Sequence, residues 1–239
     1  MTTQTKTALI TGANKGLGLE TARRLASLGW AVWLGARESQ AGAAAVAAIR
    51  DELPDAEVRH VALDVTADES VRAAHDVVAT AGGLDVLVNN AEIGGVRSAP
   101  ADTVPAEFLP VYGVNVLGPV RMTHTFLPLL RRSEHPRLVM VSSGVGSFGV
   151  TTDPDRAEST LHGLVYPSSK TALNMVTSMY AKALTDVRVT AVDPGYTATD
   201  LNGHSGTQIV AEGAEAIVEA CTADALAAGF IGRRGPVPW

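Results

Sequence analysis

Seven short runs rich in Val, Ile and Leu, separated by longer amphipathic stretches, restrict most strongly how this chain can fold. The runs are Thr7–Thr11, Ala31–Ala36, Val58–Leu63, Leu84–Asn90, Arg137–Ser143, Val187–Val192 and a weaker Ala227–Ile231. Runs that are apolar on both faces belong in a parallel sheet covered on each side, since a face open to water would show alternating polar residues. The stretches between them, Gly16–Leu28, Ser39–Glu52, Asp68–Ala81, Val114–Arg132, Tyr166–Leu184 and Gly213–Thr222, are candidate helices. The alternation predicts an α/β protein, a doubly wound parallel sheet of about seven strands with helices on both faces. Of the 239 residues, 46% are hydrophobic, ample for a core, and no Gly-, Ser- or Pro-rich linker divides the chain, so one domain over 1–239 is expected.

Nineteen Lys and Arg against 25 Asp and Glu give a formal charge of −6 without a basic block, which disfavours a nucleic-acid partner. Cys221 is the lone cysteine, excluding an internal disulfide and a thiolate metal cluster and suiting a reducing cytoplasm. No segment approaches the roughly 18 uninterrupted apolar residues of a membrane span, and the opening residues lack the apolar core of a secretion signal. The histidines show no metal-binding spacing, and the GHSG at Gly203–Gly206 fails the G-x-S-x-G of a hydrolase. These readings predict a cytoplasmic protein with no metal, membrane or nucleic-acid partner.

The first strand runs into TGANKGLG, Thr11–Gly18. In that position such a turn suits a pyrophosphate. Gly12 turns the chain tightly, Gly16 lets backbone approach phosphate, and Gly18 lets the following helix pack closely with its positive end toward the anion. At the end of the second strand, where an acidic side chain would bind both adenine-ribose hydroxyls, stand Ala36 and Arg37. With no carboxylate to repel a 2′-phosphate and a guanidinium fork to hold it, NADP(H) is expected over NAD(H), and Lys15 offers a second charge. Ligands of an open parallel sheet sit beyond the carboxyl ends of its strands, which puts two long loops, at about 144–165 and 196–213, on the functional edge.

Taken in order, TGANKGLG, LDV around Asp64, NNA at Asn89–Ala91, an isolated Asn115, VSS ending at Ser143, YPSSK at Tyr166–Lys170 and DPG at Asp193–Gly195 resemble the short-chain dehydrogenase/reductase superfamily over essentially the whole chain. The ending GPVPW and the single-domain form look most like its carbonyl-reductase-like members. The resemblance implies a Rossmann-type fold and reversible, NADP(H)-dependent reduction of ketones or aldehydes to alcohols. It implies that Tyr166 protonates the substrate carbonyl and that Ser143 hydrogen-bonds the same oxygen. Lys170 would assist the tyrosine and hold the nicotinamide ribose, and Asn115 would hold a water linking Lys170 to solvent. The implied cofactor shell is Gly12, Asn14, Lys15, Gly16, Leu17, Gly18, Arg37, Asp64, Val65, Asn90, Ala91, Pro194, Gly195 and Thr197, with Tyr166 and Lys170.

The residues also argue for themselves. Tyr166 and Lys170 stand i and i+4 on a helix, so an ammonium is held near a phenol and favours its ionised form. A shift of two to three pH units, roughly 3 to 4 kcal/mol, would bring proton exchange within reach of neutrality. The expected substrate is a bulky, largely apolar carbonyl compound or its alcohol, lined by Gly94, Val145, Phe148, Leu164, Tyr196 and Leu201 beside Ser143 and Tyr166. A monomer, a homodimer and a homotetramer are all compatible with the sequence. The rival from another class, a Rossmann regulator that senses NADP(H) without turnover, needs the glycine turn and Arg37 but not Ser143, Tyr166 and Lys170 together.

Two positions depart from the superfamily pattern. The tag NNAE puts Glu92 where a glycine is usual. A carboxylate turned into the site would disfavour anionic substrates and attract cationic ones; with no partner evident in the sequence, the favoured expectation is that it points to solvent and the substitution acts only through the loop's backbone freedom. Ser143 lies 23 residues before Tyr166, a wide gap, and the extra residues around TTDPDRAEST are expected to form a surface excursion over the substrate mouth.

Overall fold

Strands buried on both faces need a neighbour along each edge and a helix layer on each side. A computed structural model describes residues 5–224 and 229–239. Its strands are β1 (Thr7–Thr11), β2 (Ala31–Ala36), β3 (Val58–Ala62), β4 (Val86–Asn89), β5 (Arg137–Val141), β6 (Arg188–Asp193), β7 (Gly229–Gly232) and β8 (Gly235–Pro236). They form one sheet in the order β3-β2-β1-β4-β5-β6-β7-β8. The pairs from β3 through to β7 are parallel. The eighth strand, beyond the seven expected, is a two-residue return that pairs antiparallel with β7. Ala227 and Ala228, the start of the expected last run, lie outside the described residues.

Side chains alternate across the sheet, so each strand feeds two cores. Ala8 and Ile10 face the helices α1 (Gly16–Ser27), α2 (Ser39–Glu52) and α8 (Val210–Thr222), packing with Leu25, Ile49 and Ile217. Leu9, between them, faces α3 (Asp68–Thr80), α5 (Gly118–Leu130) and α7 (Val165–Ala183), packing with Val71, Phe126 and Leu173. Each fully buried Leu, Ile or Phe contributes about 1.5–3 kcal/mol relative to exposure. The chain order runs outward from β1 to β3 on one side and from β4 on the other. That reversal opens a crevice between β1 and β4 at the carboxyl edge, the usual place for a ligand in such a sheet.

The helix expected from Val114 begins earlier and is interrupted. It consists of α4 (Phe108–Tyr112), a π-type turn at Gly113–Leu117, and α5. Pro110 hid the start, yet it falls in the first turn, where a missing N–H costs nothing. The wide turn carries Asn115 inward, 1% exposed. Similarly, α8 starts at Val210 rather than Gly213.

The loop at 144–165 is ordered by short turns, including α6 (Phe148–Thr151). Ser147 caps α6 by accepting from Val150 N, while its own hydroxyl donates to Pro238 O at 2.6 Å. Gly149 N donates to Trp239 O, and the Trp239 ring packs on Phe230. The segment after β7 thus grips the start of this loop. Burial pushes the Cys221 thiol up to about 12, making it an inert apolar filler. Among the described residues no helix is long and apolar enough to cross a membrane, and no His, Cys, Asp and Glu cluster could hold a metal.

Candidate active site

The glycine turn leaves β1 with two residues in left-handed backbone, Gly12 at φ +64° and Gly16 at φ +57°. A Cβ on Gly12 would lie 2.9 Å from the Ala91 Cα, and one on Gly18 would lie 2.5 Å from the Asn90 Nδ2. Turn, helix and NNA tag are therefore pressed together in a way that only glycine permits. Thr11, which the sequence reading passed over, makes the joint. Its hydroxyl accepts from Asn90 N and Ala91 N, each at 2.9 Å, while Asn90 Nδ2 donates to Thr11 O. No side chain caps the N-terminus of α1, so its first N–H groups face the crevice unengaged by a cap. Leu17 is buried beneath, against Gly213, and Asn14 sits partly buried in the turn.

A dinucleotide fits this cradle. Ala36 is buried, and Arg37 after it is exposed and makes no ion pair among the described residues. Asp64 is held by Thr66, whose hydroxyl and N–H both donate to it and keep its carboxyl below the usual range, with Arg37 adding a smaller pull. Val65 packs under Gly118. Lys15 is placed otherwise than expected. Its ammonium pairs with Asp200 at 2.7 Å, bridging the glycine turn to the loop after β6, so holding a 2′-phosphate would require it to leave that exposed pair. Beyond β6, Gly195 adopts φ +73°, and Thr197 is tied back to Pro194 and Gly195 by its hydroxyl. Gln208, also missed in the sequence, donates to Pro194 O and Thr197 Oγ1 and fixes that bend.

Tyr166 and Lys170 occupy the first turns of α7 and share the face turned toward the sheet, the ammonium 5.6 Å from the phenol ring centre. Lys170 is 1% exposed, and Nζ donates to Val141 O at 2.9 Å. A Cβ on Gly146 would lie 2.6 Å from the Lys170 carbonyl carbon, so the turn after β5 rests directly on α7. That turn carries Ser143, whose oxygen accepts from Val145 N and whose side chain lies near enough to the Tyr166 phenol to favour its ionised form. Asn115 is close by, but its amide is taken up by Ile93, accepting from the N–H at 2.9 Å and donating to the carbonyl, and by Ser169 Oγ. Both of its side-chain N–H groups are thereby engaged.

Glu92 overturns the expectation made for it. Instead of facing solvent, its side chain is 18% exposed and turned inward. Oε2 lies 2.5 Å from Lys170 Nζ and accepts from the Tyr166 phenol at 3.1 Å. The partner that offsets its desolvation is Lys170, 78 residues further along. The phenol is pushed well above its ordinary value, by removal from water first and then by the Glu92 charge and hydrogen bond, with Asp193 adding to them and Ser143 opposing. Lys170 alone does not decide the state of Tyr166.

The expected substrate residues are mostly open to solvent. Gly94 packs against Leu201; Phe148, Leu164 and Tyr196 are exposed, and Val145 is partly buried. The Tyr196 hydroxyl lies 2.6 Å from Ser205 Oγ.

Residues 6–209 match the family model for short chain dehydrogenases. The chain belongs to that family. Among its curated relatives, the short-chain dehydrogenase anuI of Penicillium roqueforti is 38% identical over 221 residues, covering 90% of this chain and 87% of the relative. The (+)-neomenthol dehydrogenase of Arabidopsis thaliana is 33% identical, covering 88% and 89%. Among solved structures, an NADPH-bound carbonyl reductase from chicken fatty liver superposes with a TM-score of 0.85 at 25% identity, covering 99% of this chain and 100% of that one. As a short-chain dehydrogenase the protein is an oxidoreductase acting with a nicotinamide cofactor, and the eight-stranded sheet is that family's Rossmann-type fold.

Proposed function

We propose that this short-chain dehydrogenase is an NADPH-dependent reductase of ketones or aldehydes, working reversibly on the corresponding alcohols within a single domain. The observation that carries the reading is the convergence of Tyr166, Lys170 and Ser143 at the carboxyl edge, beside a glycine turn shaped for a dinucleotide. The names of the relatives, a neomenthol dehydrogenase and a carbonyl reductase, support the same chemistry. When bound, the cofactor supplies the hydride. Ser143 donates a hydrogen bond to the substrate oxygen, Tyr166 gives it a proton, and the largely apolar rim orients a bulky substrate and excludes water. A sensing role without turnover would leave Ser143, Tyr166 and Lys170 without a reason to converge.

The test is NADPH consumption followed by absorbance against a panel of ketones and aldehydes. Turnover is expected, highest with bulky apolar compounds. NADPH binding with no turnover on any carbonyl would favour the sensor, and highest turnover on small charged keto acids would overturn the substrate class.

The cofactor preference rests on Ala36 and Arg37. Replacing them with Asp and Gln introduces repulsion and removes a charge-assisted bond of about 1.5–3 kcal/mol, so NADPH affinity should fall by at least roughly tenfold. NADH should then compete better, as measured by the ratio of kcat/KM for the two cofactors. Equal use of NADH and NADPH by the parent would refute the reading.

A further inference from the structure

We propose that Glu92 is a positioning residue for the reaction, its carboxylate holding the Tyr166 phenol as a proton donor and neutralising the Lys170 ammonium that would otherwise drive that phenol toward phenolate. The inference rests on the reading of Tyr166 as the proton donor and adds to it a group that works in opposition to Lys170.

One oxygen makes both contacts. Glu92 Oε2 is 2.5 Å from Lys170 Nζ and 3.1 Å from Tyr166 Oη. With the phenol protonated, a hydrogen lies between the two oxygens and the ammonium balances the carboxylate. With the phenol ionised, two anions would face each other across that distance with no proton between them, and Lys170 would have to serve both. The contact is built, since the next residue, Ile93, is clamped at both backbone groups by the buried Asn115. The π-type turn that carries Asn115 inward therefore also sets where Glu92 can reach.

The other groups facing the phenol do not reverse this balance. Asp193, at the end of β6, adds a second negative influence, and it accepts from the Gly195 N–H. Behind Asp193, from the 144–165 loop, Glu158 and Arg156 act in opposite senses. Ser143, after β5, is uncharged and favours the ionised form. Among the described residues Lys170 is the cation beside the phenol, and Glu92 has already paired with it. Burial and Glu92 together push the phenol upward.

The decisive measurement uses the protein without cofactor. Tyrosinate absorbance is titrated with alkali in the parent and in Tyr166→Phe, and the difference isolates Tyr166 from Tyr112, Tyr180 and Tyr196. The same pair is then measured with Glu92→Gln added, and again with Glu92→Gly as a second background. The Tyr166 contribution should appear at least about one pH unit lower once the carboxylate is gone, about a tenfold rise in phenolate fraction at fixed pH. The pH profile of alcohol oxidation, which needs the ionised form, should move down with it. Coincident difference curves in the three backgrounds, or an upward move, would overturn the proposal. Its failure is separable from that of the proposed function. Full turnover in Tyr166→Phe sinks the mechanism whatever the titration shows, whereas coincident curves with an inactive Tyr166→Phe sink only the role of Glu92.

Discussion

Replacing Tyr166 with phenylalanine is expected to lower turnover by about a hundredfold or more while NADPH still binds. The ring stays in place at the start of α7, so packing is preserved and only the hydroxyl is removed. That hydroxyl donates to Glu92, and in the proposed chemistry it delivers the proton. Ser143 can still hold a substrate oxygen, and water can deliver a proton slowly, so the loss should be large but incomplete. Initial rates combined with a fluorescence titration of bound NADPH separate the two effects. Near-normal rates would take Tyr166 out of the mechanism.

Lys170→Met is expected to harm both turnover and stability. Methionine fills a similar volume, but Val141 O loses a donor and Glu92 is left facing the phenol with no counter-charge. Removing one partner of a buried pair costs about 3–5 kcal/mol when the other stays buried. Glu92 keeps 18% exposure and can turn toward water, which should reduce the cost to about 2–3 kcal/mol. The denaturant midpoint should fall accordingly. Adding Glu92→Gln should restore much of the stability, since it removes the stranded charge, without restoring turnover. A Lys170→Met variant as stable as the parent would show that the pair contributes nothing to folding.

What could be read in advance divides along sequence distance. The parallel sheet was legible because Val, Ile and Leu runs such as Thr7–Thr11 and Arg137–Val141 carry their burial in their own composition. Tyr166 with Lys170, and Gly12 with Gly16 and Gly18, were legible because each set lies within a single turn of chain. Glu92 was not, because its partners lie on α7, 74 and 78 residues away, and nothing near it foretells a cation. The same holds for Thr11, whose hydrogen-bond donors, Asn90 and Ala91, sit just past the end of β4, and for the pairing of Lys15 with Asp200 across 185 residues. The start of α4 was obscured by Pro110, whose position within a helix, harmless or disruptive, depends on a boundary that propensity alone does not supply. A signal was available for two of these. Thr11 opens the T-G-x-x-x-G-x-G pattern, and Glu92 breaks a glycine position, which is itself a reason to ask what the new side chain does.

The grip of Pro238 and Trp239 on α6 has a consequence in time. Contacts between neighbouring stretches close quickly, whereas one spanning 91 residues waits until most of the chain has lost its freedom. The strands and helices from β1 to β4 can assemble while the residues that secure Ser147 and Gly149 are still unmade or unplaced. A molecule emerging from synthesis can therefore have its glycine turn and NNA tag in place while Lys170, Gly195 and Thr197, which complete the nucleotide cradle, and the substrate loops are still unmade. Cofactor, which binds best once those later residues are in place, would favour the finished fold by mass action, so its supply during synthesis bears on the yield of the finished molecule.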